Sequence, residues 1–208
     1  MPFLGLFIAV VCLFTFFRKR SNRPQENVTD RFWKRESIAN NTRLQDLSGL
    51  PYITIPFDKF PIGMYENDLL KNYENTLQTL SGQKIVNFGT QTNTDLKITY
   101  GTASLPALTE YEQNFTTLCQ TLTAYAGQLF ELGHTDDART ILEYGISIGS
   151  DLSQNYLLLA KIYQSSGETG RIRELLASAE QLDSLMKRSI VEKLTAMLPE
   201  DTANTPVQ

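Results

Sequence analysis

The sequence predicts a mainly α-helical protein: an N-terminal transmembrane helix, then a module of stacked helical hairpins, with a small β-hairpin upstream of the module. Three observations carry that expectation. Phe3 to Phe17 runs without a charged residue. Apolar residues recur at helical spacing from Ala107 to Leu198, interrupted at Gly133, near Gly149 and at Gly167. The segment starting at Cys119 also lies over the one starting at Ser153 at a constant offset.

The leading run, at about 1.5 Å per helical residue, nearly crosses a hydrocarbon core. It has three readings: a spanning anchor (residues 1–20), a cleaved secretory signal, and a lipoprotein signal acylated at Cys12. A cleaved signal needs basic residues before the apolar run and small ones at its end, whereas this run closes on Phe16 and Phe17. The lipoprotein reading needs a small residue before the cysteine and finds Val11. For an anchor, Arg18, Lys19, Arg20 and Arg23 set the orientation: a single-pass membrane protein with its N-terminus outside and its body cytoplasmic. Snorkelling, local thinning or a start upstream of Met1 would meet the shortness of the run.

Charge excludes one class of partner. Taking those four residues from the 19 basic ones leaves 15 against 23 acidic, so the body carries −8. Nucleic-acid binding needs a basic stripe, and none is present. Cys12 and Cys119 belong to different environments and read as packing thiols. His134, the one histidine, has no partner at metal-ligand spacing and reads as a solvated turn residue.

Residues 21–62 divide into a polar juxtamembrane spacer, a weakly amphipathic stretch from Asp30 to Leu47 read as helix, and a Pro-rich segment. There Pro51, Pro56 and Pro61 force an extended path from Leu50. That ribbon has two readings, a strap for a partner or a cover over its own helical body. In residues 63–106, Leu69, Leu70, Tyr73, Leu77 and Leu80 give a helix from Tyr65 to Leu80. Ile85–Phe88 and Leu96–Tyr100 are β-favouring and read as a hairpin about Gly89–Asp95. Residues 107–198 hold the helical module with a capping helix from Ser184 to Leu198, and 199–208 form a polar, disordered tail.

The internal match pairs Gln120 with Gln154, Ala126 with Ala160, Gly133 with Gly167, Thr135 with Thr169, Arg139 with Arg173 and Leu142 with Leu176. Apolar or small residues pair as Leu122 with Tyr156, Tyr125 with Leu159, Leu129 with Tyr163 and Gly145 with Ala179. Over residues 119–186 this resembles the tetratricopeptide repeat (TPR) family, whose helix-turn-helix unit has the same period. The sequence departs from that pattern at Ile172, where the family prefers alanine, and at Ser150 and Ser184, where it prefers proline. One hairpin cannot bury its apolar face alone, so Ala107–Leu118 is expected to extend the first repeat helix backwards and Ser184–Leu198 to close the stack.

No phosphate-cradling loop, nucleophile elbow, Cys/His pair or zinc spacing is present, so the sequence names no catalytic residue, metal ligand, cofactor or small-molecule substrate. Asp136 and Asp137, adjoining at a helix start, read as residues that cap the helix and complement its dipole. The expectation is a non-enzymatic adaptor that binds a protein partner at the cytoplasmic face. The alternatives are an accessory subunit of a permanent membrane complex and an extracytoplasmic lipoprotein. The resemblance places the partner-binding face on the first helix of each unit: Gln120, Thr123, Phe130, Gln154, Leu157, Lys161 and Gln164. With Lys161 almost alone as a cation there, capture of an acidic tail is not expected.

Overall fold

The computed structural model describes Phe7, Leu13 and residues 29–198. Over these residues the protein is mainly α-helical and has no strand. Residues 29–41 are helical (α1). They are followed by α2 (Asp68–Ser81), α3 (Asn93–Tyr100), α4 (Leu105–Glu131), α5 (Thr135–Ser147), α6 (Ser153–Ser165), α7 (Thr169–Glu180) and α8 (Lys187–Ala196). Short 3-10 turns lie at Phe57–Lys59 and Thr102–Ser104.

Two expectations are corrected. The single-pass membrane localisation with a cytoplasmic body fails, because no helix among the described residues is long and apolar enough to cross a membrane. The 27-residue α4 has the length, but Glu110, Glu112, Gln113, Asn114 and Gln120 make it too polar. Apart from Phe7 and Leu13, the apolar run 3–17 lies outside the described residues. A helix of that length rises only about 22 Å, against about 30 Å of hydrocarbon.

The second correction is the β-hairpin. Its second arm is α3, started by a reciprocal cap: the Asp95 amide donates to Thr92 Oγ1 and the Thr92 amide donates to Asp95 Oδ2. This local cap outweighs the β-propensity of Ile98 and Thr99. The first arm has no regular secondary structure and pairs with no strand. Instead the Val86 amide donates to the Tyr111 carbonyl at 3.3 Å, and Ile85, Val86 and Phe88 are buried.

The chain forms two compact units. In the first, residues 29–47 meet 92–105. Arg35 pairs with Asp95 at 2.5 Å, Glu36 accepts from Thr94 at 3.0 Å and is paired with Lys97, and Thr102 Oγ1 donates to the Ala39 carbonyl at 3.1 Å. Ala39 and Leu96 are fully buried.

The second unit comprises residues 48–91 and the chain from Pro106 on. Helices α5 to α8 pack in succession, and α8 also packs on α6. The interval from the start of α5 at Thr135 to that of α7 at Thr169 equals the interval from α6 at Ser153 to α8 at Lys187, and both equal the offset between Cys119 and Ser153. Three turns between helices close in one way. At Gly133, Gly149 and Gly167 φ is between 74° and 87°. Each glycine amide donates to the carbonyl three residues back, and the amide after it to the carbonyl five back, as in Gly133 to Phe130 and His134 to Leu129. This motif satisfies the last carbonyls of a helix and favours a residue without a Cβ at the left-handed position.

The Pro-rich ribbon lies on this unit and covers it. Ile55 and Phe60 are buried in the same core as α4 to α7. Tyr144 Oη donates to the Thr54 carbonyl at 2.9 Å, and the Phe60 ring meets Tyr144 edge-on at 5.5 Å. Against this cover, Tyr125 of α4 donates its hydroxyl to buried Glu74 of α2 at 3.0 Å.

Candidate functional site

Two adjoining cavities run along the face shared by α4, α6 and α8. The larger, about 540 Å³, is lined by Phe130 and Glu131 of α4, by Gln154, Leu157, Leu158 and Lys161 of α6, and by Lys193 of α8. The smaller, about 280 Å³, is lined by Gln120, Thr123 and Ala124 of α4 with Leu152, Ser153 and Gln154. Ser153 and Gln154 border both, so the two form one groove.

Helical spacing explains the lining. Phe130 lies beyond the buried Leu129, and Gln154, Leu157, Leu158 and Lys161 recur at three- and four-residue intervals on one side of α6. The opposite side of α6, with Tyr156, Leu159, Ala160 and Tyr163, is core. Within the groove the Lys161 ammonium sits over the Phe130 ring, 5.2 Å from its centroid. Neither Lys161 nor Lys193 forms an ion pair among the described residues.

Six of the seven residues selected from sequence line the groove, but not all present a free group to it. Gln120, Phe130, Gln154, Leu157 and Lys161 do. Thr123 is 4% exposed and its hydroxyl donates to the Cys119 carbonyl at 2.8 Å, so it belongs to the wall. Gln164 lies beyond the groove, its amide donating to the Met197 carbonyl at 3.4 Å.

Sequence reasoning missed Lys193 and Ser153. Projecting α6 onto α8 by the repeat interval sets Lys193 on Leu159, which is 1% exposed, and so assigns it to the core. In α8 that register is not core, and Lys193 is exposed. Ser153 opens α6; its Oγ is buried and is the one such side-chain oxygen or nitrogen among the described residues that lacks a hydrogen-bond partner. Native structures rarely leave such a group unpaired, and no sequence signal marks it.

Charged clusters elsewhere on the second unit are internally satisfied. Glu143 accepts from Arg139 at 2.9 Å, Tyr163 at 2.7 Å and Arg171 at 3.1 Å, and Arg139 also reaches Glu168 at 2.7 Å. Burial pushes the Glu143 carboxyl up, but the Tyr163 hydroxyl and Arg139 guanidinium hold it below the usual carboxylate range. His134 is half-buried and stacks on Tyr65 at 3.6 Å, while Tyr65 donates to Asp137 at 2.6 Å. His134 is therefore packed, not a freely solvated turn residue, and Asp137 does more than open α5. Among the described residues no group of three His, Cys, Asp or Glu is placed to hold a metal ion.

No protein-family model, no curated protein and no solved structure matches this chain.

Proposed function

We propose that the second unit is a TPR-like binding module, whose α4/α6/α8 groove holds a peptide segment of a protein partner, and that the chain acts as an adaptor without catalysis of its own. The observation that carries this reading is the groove itself. Its floor is apolar at Phe130, Leu157 and Leu158, its edges are polar at Gln120 and Gln154, and at its centre the Ser153 hydroxyl is buried and unpaired. An apolar cleft with a few convergent polar groups is the usual form of a recognition site. The TPR-like reading draws further support from helix starts that recur at the repeat interval and from the three equivalent glycine turns.

A random-peptide library displayed on phage and selected against the full chain tests the reading. Selected peptides should protect backbone amides in α4 and α6 from hydrogen exchange and lose binding on Phe130→Ser or Leu157→Ser. Peptides that survive both substitutions, with protection elsewhere, would refute it.

A second reading, a structural accessory subunit of a permanent complex, is favoured by a different surface. In the first unit Phe32, Trp33, Ile38 and Leu44 are all more than half exposed. Phe32 and Trp33 also meet edge-on at 5.4 Å, an exposed apolar pair of the kind that marks interfaces when a partner extends it. It predicts that Trp33→Ser lowers co-purification of a stoichiometric subunit while the groove variants leave it unchanged.

A further inference from the structure

The groove carries a charge pattern that bears on what it takes. Outside residues 1–24 the chain is acidic, with 15 basic against 23 acidic residues. On the second unit Arg139, Arg171 and Arg188 are committed to ion pairs with Glu143, Glu168, Glu174 and Glu192. Lys161, Lys193, Arg173 and Lys187 are not, and of these Lys161 and Lys193 come from two different helices to line one cavity. The Lys161 ammonium is held over the Phe130 ring, which leaves its N–H donors available. One carboxylate, Glu131, lines the same cavity and leaves a surplus of positive charge.

Resting on the peptide-binding reading, we propose that the occupant is a peptide with an acidic side chain beside apolar ones: the apolar residues lie on Phe130, Leu157 and Leu158, and the carboxylate bridges Lys161 and Lys193. Two ammonium groups from separate helices fix where along the groove the carboxylate must lie. The apolar floor supplies area and the lysines supply register and discrimination, the usual division between burial and charge at an interface. The acidic surface elsewhere repels a ligand of the same sign, so an acidic peptide is directed to the place where cations converge.

The same displayed library, selected in parallel on the native chain and on Lys161→Glu/Lys193→Glu, tests this. Native selections should enrich Asp or Glu adjacent to Leu, Ile or Phe. The charge-reversed chain should enrich Lys or Arg at the same place. Synthetic copies of the enriched acidic peptides should bind the double variant about tenfold or more weakly, with the loss shrinking at high salt. Glu131→Gln should tighten them. Selected peptides that are neutral or basic, yet still lost on Phe130→Ser, would overturn the acidic occupant and leave the groove reading standing. Peptides indifferent to Phe130→Ser would overturn both. Circular dichroism of each variant, unchanged from the native chain, confirms that lost binding is not lost folding.

Discussion

The carboxamide of Asn155 fills the space that a side chain at position 145 would need. A Cβ on Gly145 would lie 3.1 Å from both Nδ2 and Oδ1 of Asn155. Asn155 is 1% exposed, donates to the Leu142 carbonyl at 3.2 Å and lies 3.4 Å from Thr123 Oγ1, so it ties α4, α5 and α6 together. It has little room to give.

Two effects oppose each other in Gly145→Ala. Alanine is better than glycine inside a helix by about 1 kcal/mol, and overpacking a tight contact costs about 1–3 kcal/mol. The expected net result is destabilisation of the native chain by about 1 kcal/mol, read as a shift in the urea midpoint. In an Asn155→Ala background the obstruction is gone and the same substitution should stabilise. A double-mutant cycle without that change of sign would show that Asn155 does not set the contact.

Gly101 makes a comparable demand on the first unit. Its φ is +86°, and a Cβ there would lie 2.7 Å from the Arg43 carbonyl oxygen. Neither the backbone conformation nor the neighbouring main chain can yield cheaply. Gly101→Ala should cost about 2 kcal/mol or more, expressed locally. Hydrogen exchange should show faster exchange in residues 29–41 and α3 with α5–α7 unchanged. Uniform loss of protection along the chain would show that the strain is not confined to the surroundings of Gly101.

What the sequence disclosed, and what it hid, follows the distance over which each signal acts. The turns at Gly133, Gly149 and Gly167 are legible because a left-handed position at a helix end asks for glycine locally. The matched pairs Leu122 with Tyr156 and Ala126 with Ala160 are buried in both copies. Identity alone is a poorer guide: Arg139 pairs with Glu143 and Glu168, whereas Arg173, its match, is exposed and makes no ion pair among the described residues. Residue 177, which corresponds to Glu143, is alanine, so the repeat keeps the cation and loses its partner. In the first unit α1 is legible as a weakly amphipathic stretch, but its pairing with α3 is not, because contacts such as Glu36 with Lys97 and Arg35 with Asp95 join residues about 60 apart. The hairpin expectation fails because β-propensity over five residues yields to the Thr92/Asp95 cap before them. Of the groove, the α4 and α6 lining is what the repeat resemblance implies for the first helix of each unit. Lys193 is not, because repeat logic assigns it to core.

Cys119 should be chemically silent in the folded chain. Burial pushes its thiol up to about 11, with Ser150 as a hydrogen-bond partner acting the other way. Thiol reagents attack the thiolate, so a rise of about two units lowers the reactive fraction about 100-fold at neutral pH before any steric protection. In a Cys12→Ser background, iodoacetamide should therefore label Cys119 about 100-fold more slowly in buffer than in denaturant. Comparable rates would mean that the α4 face around Cys119 opens readily.

Buried phenols give the second unit an alkaline limit. Burial pushes the hydroxyls of Tyr144, Tyr156 and Tyr163 up to about 12 and that of Tyr125 higher still. The folded state thus prefers the neutral phenol more than the unfolded chain does, whose tyrosines titrate near 10. Below that value both states hold the proton and this preference is fully present as stability. Above it the unfolded chain releases protons first and binds fewer of them, so stability falls as pH rises towards the folded values. Each such tyrosine steepens the fall by up to about 1.4 kcal/mol per pH unit. Urea midpoints measured from pH 9 upward should decline beyond about 10, and Tyr156→Phe should flatten the decline. The ultraviolet signal of these tyrosinates should appear together with the loss of helical circular dichroism. If they ionise near pH 10 in a chain that stays helical, water reaches the phenols and the core between α5 and α7 is looser than its burial implies.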